Sequence, residues 1–108
     1  MKVRDITKKL DAHSPESAAC EWDNVGLLIG SYDARVKRIY IALDATDDVV
    51  LDAVDKKCNL LITHHPLIFS GMKSVTKDDF IGRRVITMIE NKVSYYAMHT
   101  NFDVYGMG

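Results

Sequence analysis

Two adjacent histidines, His64 and His65, are the residues of this chain best suited to chemistry. They come directly after the apolar run 60–63, which is typical of a buried strand, and they are followed by Pro66. Ligands in α/β proteins bind at the carboxyl ends of parallel strands, so imidazoles at this place predict a metal or catalytic site. Pro66 also restricts His65 to extended backbone, which helps to fix the orientation of its imidazole.

Further polar side chains follow two other apolar segments, at the points where those segments end. Asp44 follows the run 39–43, whereas His99 and Asp103 follow the run 93–98. Because parallel strands end at the same edge of a sheet, we expect these side chains to meet the two histidines there. Asp44 is interpreted either as a cap of the following helix or as a residue that orients a ligand, and His99 as a residue that orients its turn.

The two histidines and Asp103 suit a divalent ion. Neighbouring side chains on a strand point to opposite faces, so the histidines reach one ion only if the chain turns between them; the alternative is two ions. Imidazole and carboxylate ligands suit zinc, iron, manganese, cobalt or nickel, and two-metal sites of this kind catalyse hydrolysis. A purely structural role for the histidines is less favoured, because three strand ends carry polar groups in succession. His13 is interpreted as structural.

The elements that must position these residues are predicted from apolar spacing. A helix over 2–12 is expected to pack on a sheet face, and the strand over 39–43, apolar without alternation, is expected to be covered on both faces. Strands over 60–63 and 93–98 follow. The order β-α-β-α-β predicts an α/β domain with a mainly parallel sheet flanked by helices. The 22–26 segment is interpreted as a turn with a packing tryptophan, Trp22.

The two crossover helices carry start signals. Thr46 suits the N-cap of the second helix, whose apolar stripe is formed by Val49, Val50, Ala53 and Val54. Asp78 or Asp79 suits the N-cap of the third helix. Its apolar face is expected to contain Ile81, Val85, Ile86 and Ile89. Arg83 and Arg84 are expected to face solvent or a neighbouring element.

Composition excludes several classes of protein. With 108 residues, 47% of them hydrophobic and 27% charged, residues 1–108 are expected to form one globular domain. The net charge of -1 argues against a dedicated nucleic-acid binder, but it is compatible with a small anionic substrate. No apolar segment approaches the roughly 20 residues of a membrane span, so we expect a cytoplasmic protein without a membrane partner. Cys20 and Cys58 are expected to be reduced thiols without a functional role.

Five segments, taken in order, resemble the amino-terminal part of the Nif-three-like family (NGG-interacting factor three), whose members are known as type 2 GTP cyclohydrolase I homologues. The segments are WDNVGL (22–27), LDAT (43–46), HHPLIF (64–69), Gly82-Arg83 and HTNFD (99–103). The resemblance implies a dinuclear centre of two divalent ions with His64, His65 and Asp103 among its ligands. It also implies a metal-dependent hydrolase of a small molecule, a nucleotide being the expected class; the alternative is a metal-binding regulatory or interaction protein without turnover.

The family's pattern extends beyond this chain. In the family a later histidine and glutamate, in an HxxxE arrangement near the carboxyl terminus, complete the metal site, whereas this chain ends at Gly108. We therefore expect an incomplete amino-terminal part of a larger three-layer domain, which exposes apolar surface, self-associates and has negligible turnover by itself. For a complete chain the resemblance implies a homo-oligomer, specifically a ring-like homohexamer.

Overall fold

The computed structural model describes residues 1–13, 26–65, 67 and 74–98. Its elements are, in chain order, α1 (Val3–His13), β1 (Gly26–Ile29), β2 (Ile39–Ala42), α2 (Asp47–Asp55), β3 (Leu60–Thr63), α3 (Phe80–Glu90) and β4 (Ser94–Ala97). The strands form one sheet in the order β1-β4-β3-β2. The pairs β2–β3 and β3–β4 are parallel, and β1 is antiparallel to β4. The predicted α/β fold with a mainly parallel sheet is confirmed.

The two central strands, β3 and β4, separate two apolar cores. Leu61 and Tyr95 belong to the core that also contains side chains of α2 and α3. Leu60 and Tyr96 point to the opposite face, where they pack with α1. This alternation follows from the two-residue period of a strand, and it buries every residue of both strands. The sheet is therefore the middle of three layers, with α1 on one side and α2 and α3 on the other.

The helices begin at the predicted caps. Thr46 Oγ1 accepts a hydrogen bond from the N–H of Val49 at 3.2 Å, and Asp79 Oδ2 accepts one from the N–H of Gly82 at 3.1 Å. Each bond satisfies one N–H group that has no partner within its helix. The expectation that Ile89 lies in the core was wrong: Ile89 is exposed, and Met88, which the apolar pattern omitted, takes the buried place in the last turn of α3.

None of the described helices is both long and apolar enough to cross a membrane.

The strand β2 is an edge strand with one covered face. Tyr40 packs against the core that contains α2, whereas Ile39 and Ile41 on the other face are 44% and 76% exposed. The prediction that this strand is covered on both faces was therefore wrong. Among the described residues, the core beneath α1 contains side chains of β3 and β4 and none of β2. An apolar run does not by itself distinguish an edge strand from a central one.

The strand β1 was not predicted, because Gly26 was assigned to a turn. It pairs antiparallel with β4 and is followed by Gly30, whose φ is 105°. A Cβ atom at Gly30 would lie 2.3 Å from Ser94 Oγ. Glycine at this position therefore allows the chain to leave β1 close against the start of β4.

Candidate metal site

The segments that follow β2, β3 and β4 meet at one edge of the sheet. The N–H of His65 donates to the carbonyl oxygen of Leu43 at 2.9 Å, and the N–H of Met98 donates to that of Thr63 at 3.0 Å. Backbone hydrogen bonding thus continues past the regular strands and holds the three segments side by side. Of the residues predicted to converge here, Asp44, His64 and His65 do so, whereas His99 and Asp103 lie outside the described residues.

His65 is oriented by Asp44. Its Nδ1 lies 2.6 Å from Asp44 Oδ1. Because an ionised carboxylate only accepts hydrogen bonds, Nδ1 carries the proton, and in the neutral ring the lone pair is then on Nε2. Carboxylates orient metal-binding histidines in this way in other proteins. The alternative role of Asp44 as a helix cap is wrong, because Thr46 caps α2.

His64 adopts the same tautomer through a different partner. Its Nδ1 lies 2.9 Å from the carbonyl oxygen of Met98, so the proton is again on Nδ1 and the lone pair on Nε2. The chain bends at His64 and His65, and their ring centroids are 5.1 Å apart with a tilt of 46°. The turn between the two histidines, one of the two alternatives drawn from the sequence, is therefore present. It places both imidazoles together at the rim of the sheet.

The loop that carries the histidines is attached to the core by Tyr95. The hydroxyl oxygens of Tyr95 and Thr63 are 2.6 Å apart, and they lie 3.1 Å and 2.8 Å respectively from the carbonyl oxygen of His65. Tyr95 Oη also accepts a hydrogen bond from the N–H of Leu67 at 2.8 Å. Burial raises the pKa of the Tyr95 hydroxyl, which keeps it protonated at neutral pH and able to donate.

Tyr95 was not singled out from the sequence. The signal that could have found it is a tyrosine within a strand that is otherwise expected to be fully buried, because a buried hydroxyl needs a hydrogen-bond partner. Nothing in the local sequence indicates that this partner is the histidine loop.

Cavities lie on both sides of the histidine pair. The one beside His64 has a volume of about 140 Å³ and is bordered mainly by apolar side chains, including Ile41 and Met98. The one beside His65 has a volume of about 250 Å³ and is bordered by both aromatic and charged side chains, including Phe80, Arg84 and Asp44. The two histidines therefore separate an apolar cavity from a partly polar one.

The chemistry of the described groups fits part of a metal site. Two neighbouring imidazoles with lone pairs on Nε2 are suitable ligands for a divalent ion, and both have the hydrogen-bonded Nδ1 that metal-binding histidines require. Over residues 1–13, 26–65, 67 and 74–98, no group of three or more His, Cys, Asp or Glu side chains is close enough to hold an ion. The ligand role of His64, His65 and Asp103 stays a prediction. Of the other candidates, His13 is the last residue of α1.

A family model described as Duf34/NIF3 (NGG1p interacting factor 3) matches residues 1–108. The chain belongs to the Duf34/NIF3 family. The resemblance to the Nif-three-like family stated from the sequence is thereby confirmed.

Two bacterial relatives of this Duf34/NIF3 chain carry the name GTP cyclohydrolase 1 type 2 homolog. The Clostridium acetobutylicum protein is 40% identical over 103 residues, which are 95% of this chain and 38% of that protein. The Staphylococcus aureus (strain COL) protein is 45% identical over 104 residues, which are 96% of this chain and 28% of that protein. The chain thus spans about a third of the length of these relatives.

The fold is similar to that of solved family structures. The crystal structure of Staphylococcus aureus protein SA1388 matches with a TM-score of 0.91 and 45% identity, covering 95% of this chain and 33% of that chain. The fold described above is therefore shared with this solved structure.

Proposed function

We propose that this Duf34/NIF3 chain supplies ligands to a dinuclear divalent-metal site and takes part in metal-dependent hydrolysis of a small molecule. The observation that carries the proposal is the pair of Nδ1 hydrogen bonds, from His65 to Asp44 and from His64 to the carbonyl oxygen of Met98. Metal-binding histidines donate the N–H of their other ring nitrogen in this way, so two adjacent histidines with the same tautomer at a strand end favour ligation through Nε2.

The residues that would hold the ions are His64, His65 and Asp103. Bound zinc, iron, manganese, cobalt or nickel would supply Lewis acidity, which polarises a substrate oxygen and activates water. The chain's own groups have separate tasks. Asp44 and Met98 hold the two rings in one tautomer, and the hydroxyl of Tyr95 holds the backbone between them.

A nucleotide is the substrate class that we propose. The support comes from the name of the two relatives, GTP cyclohydrolase 1 type 2 homolog. The partly polar cavity beside His65 provides room for part of such a molecule next to the proposed ligands. Because this chain spans about a third of those relatives, the proposal concerns the full-length gene product.

The test uses the purified full-length gene product loaded separately with each of the five metals. Consumption of GTP is followed by chromatography for the wild type, His65→Ala and Asp48→Asn, which changes an exposed carboxylate of α2 outside the site. We expect metal-dependent turnover that falls to the metal-free rate in His65→Ala and is unchanged in Asp48→Asn. Turnover that is equal in all three proteins, or equal with and without metal, would overturn the proposal.

A further inference from the structure

The cavity beside His65 is bordered by an arginine that the proposed metal site does not use. Arg84 of α3 lies on one side of this cavity of about 250 Å³, together with Phe80 from the first turn of the same helix. Thr46, at the start of α2, and His65 border it as well. A cationic side chain, a hydroxyl and an aromatic ring therefore lie within the reach of one small ligand next to a proposed metal ligand.

Arg84 is held in a fixed position. Its Nε donates to Asp47 Oδ1 at 2.7 Å, and its guanidinium carbon lies 5.0 Å from the centre of the Phe80 ring. Its side chain is only 19% exposed. A guanidinium has five N–H groups, and the described part of the chain contains no hydrogen-bond acceptor for those on the two terminal nitrogens of Arg84. A ligand in the cavity would meet donors that are already positioned.

Arg84 and Thr46 both offer hydrogen-bond donors to a ligand in the cavity. Asp47 binds Arg84 and also Arg83, whose Nη2 lies 2.9 Å from Asp47 Oδ2. The carboxylate of Asp44 also borders the cavity, where it accepts a hydrogen bond from His65, so binding of an anion depends on the N–H groups of Arg84 that do not donate to Asp47 and not on net charge. Thr46 Oγ1 already accepts a hydrogen bond from the N–H of Val49, so its own hydrogen can be donated to an acceptor.

We propose that Arg84 and Thr46 bind an oxyanion, a phosphate or a carboxylate, of the substrate whose reacting group lies at the histidine pair. Phe80 forms the apolar wall against which the guanidinium is held. Arginine suits this task because its planar fork forms two parallel hydrogen bonds to such groups. The subsite rests on the proposed function only in assigning the oxyanion to the substrate of the metal site; the binding of the anion itself does not need the metal.

The experiment is a titration of the metal-free full-length protein with inorganic phosphate, in the presence of a chelator, followed by calorimetry. Arg84→Gln is compared with Arg83→Gln. The control variant also removes one positive charge and one hydrogen bond to Asp47, but Arg83 does not border the cavity. We expect Arg84→Gln to weaken phosphate binding by about tenfold or more, because charge-assisted hydrogen bonds from a guanidinium to a phosphate are among the strong ones. Arg83→Gln should stay within about twofold of the wild type by the same comparison.

Arg84→Lys keeps the charge and provides a second variant if Arg84→Gln does not fold; it should bind phosphate more weakly than the wild type because it loses the planar fork. Acetate in place of phosphate distinguishes a carboxylate from a phosphate, and binding of either that depends on Arg84 supports the subsite. No binding of either anion to the wild type, or equal weakening in Arg84→Gln and Arg83→Gln, would overturn it. Zinc titrated into the wild type tests the metal site separately: a wild-type protein that binds phosphate but no zinc would reject the proposed function and leave the subsite.

Discussion

The hydroxyl of Tyr95 accepts a hydrogen bond from the backbone N–H of Leu67 at 2.8 Å, which attaches the chain beyond the histidine pair to the centre of the sheet. Both residues are buried, and both belong to the core beneath α2 and α3. The same hydroxyl lies 3.1 Å from the carbonyl oxygen of His65. The position of a candidate metal ligand at the rim is therefore determined by a side chain in the middle of the fold.

Replacement of Tyr95 by phenylalanine should affect both stability and metal binding. It leaves the buried N–H of Leu67 without its acceptor, which costs about 1–3 kcal/mol of the free energy of unfolding. The loop is then less ordered, so the affinity for zinc should also fall. Denaturant unfolding and a zinc titration measure the two effects, with Tyr32→Phe at an exposed position as the control. Unchanged values in Tyr95→Phe would show that the hydroxyl does not hold the loop.

The Asp44→Asn variant should weaken metal binding while the fold is retained. A neutral amide then replaces the charged acceptor that orients His65, and changes of this kind typically cost about 10–100-fold in metal affinity. Asp48→Asn makes the same change at an exposed carboxylate of α2. Cobalt absorption spectra of both variants report the geometry of the bound ion directly. Identical spectra and affinities for Asp44→Asn and the wild type would refute the orienting role.

The ion pairs between α2 and α3 predict that the stability of the fold depends on pH. Hydrogen bonds from Arg84 and then Arg83 hold the pKa of Asp47 below its usual value of 3.8. A lowered pKa in the folded state means that the contribution of Asp47 is fully present above pH 3.8 and is lost as the pH falls through the lower folded value. Asp47→Asn should therefore be less stable than the wild type at pH 7, and the difference should shrink only as the pH falls below 3.8. Denaturant unfolding at several pH values measures it; a difference independent of pH would contradict the assignment.

Gly82 should not tolerate a side chain, although it lies inside a helix where alanine is normally preferred. A Cβ atom there would lie 2.3 Å from the carbonyl oxygen and 2.8 Å from the nitrogen of Thr76, so the backbone of one segment would have to move. Gly82→Ala should therefore lower the free energy of unfolding by about 1–3 kcal/mol. Glu90→Ala, on the exposed last turn of α3, is the matched control. A gain in stability for Gly82→Ala would mean that the segment at Thr76 is not packed as described.

Features that depend on local sequence were predictable. The caps at Thr46 and Asp79 follow from short polar side chains placed before apolar stripes, and the strand at 60–63 follows from its uninterrupted apolar run. The meeting of Asp44 with the histidines followed from the rule that parallel strands end at one edge.

Features that depend on distant contacts were not predictable. The four residues of β1 are too few for a clear pattern, and their partner β4 lies at the other end of the described chain. Ile41 is as apolar as a central strand residue, and only the strand order makes it exposed. The role of Tyr95 and the orientation of Arg84 toward the cavity likewise arise from contacts between separate elements. The ligand role of Asp103 is still a prediction from resemblance.

The most direct test of the central claim is the zinc affinity of the full-length protein with single alanine substitutions. His64→Ala, His65→Ala and Asp103→Ala remove the three proposed ligands, whereas His13→Ala removes a histidine at the end of α1. Equilibrium dialysis with elemental analysis should show reduced zinc occupancy in each of the first three variants and wild-type occupancy in His13→Ala. Equal zinc occupancy in all four variants, with the fold intact, would contradict the assignment of the histidine pair as a metal site.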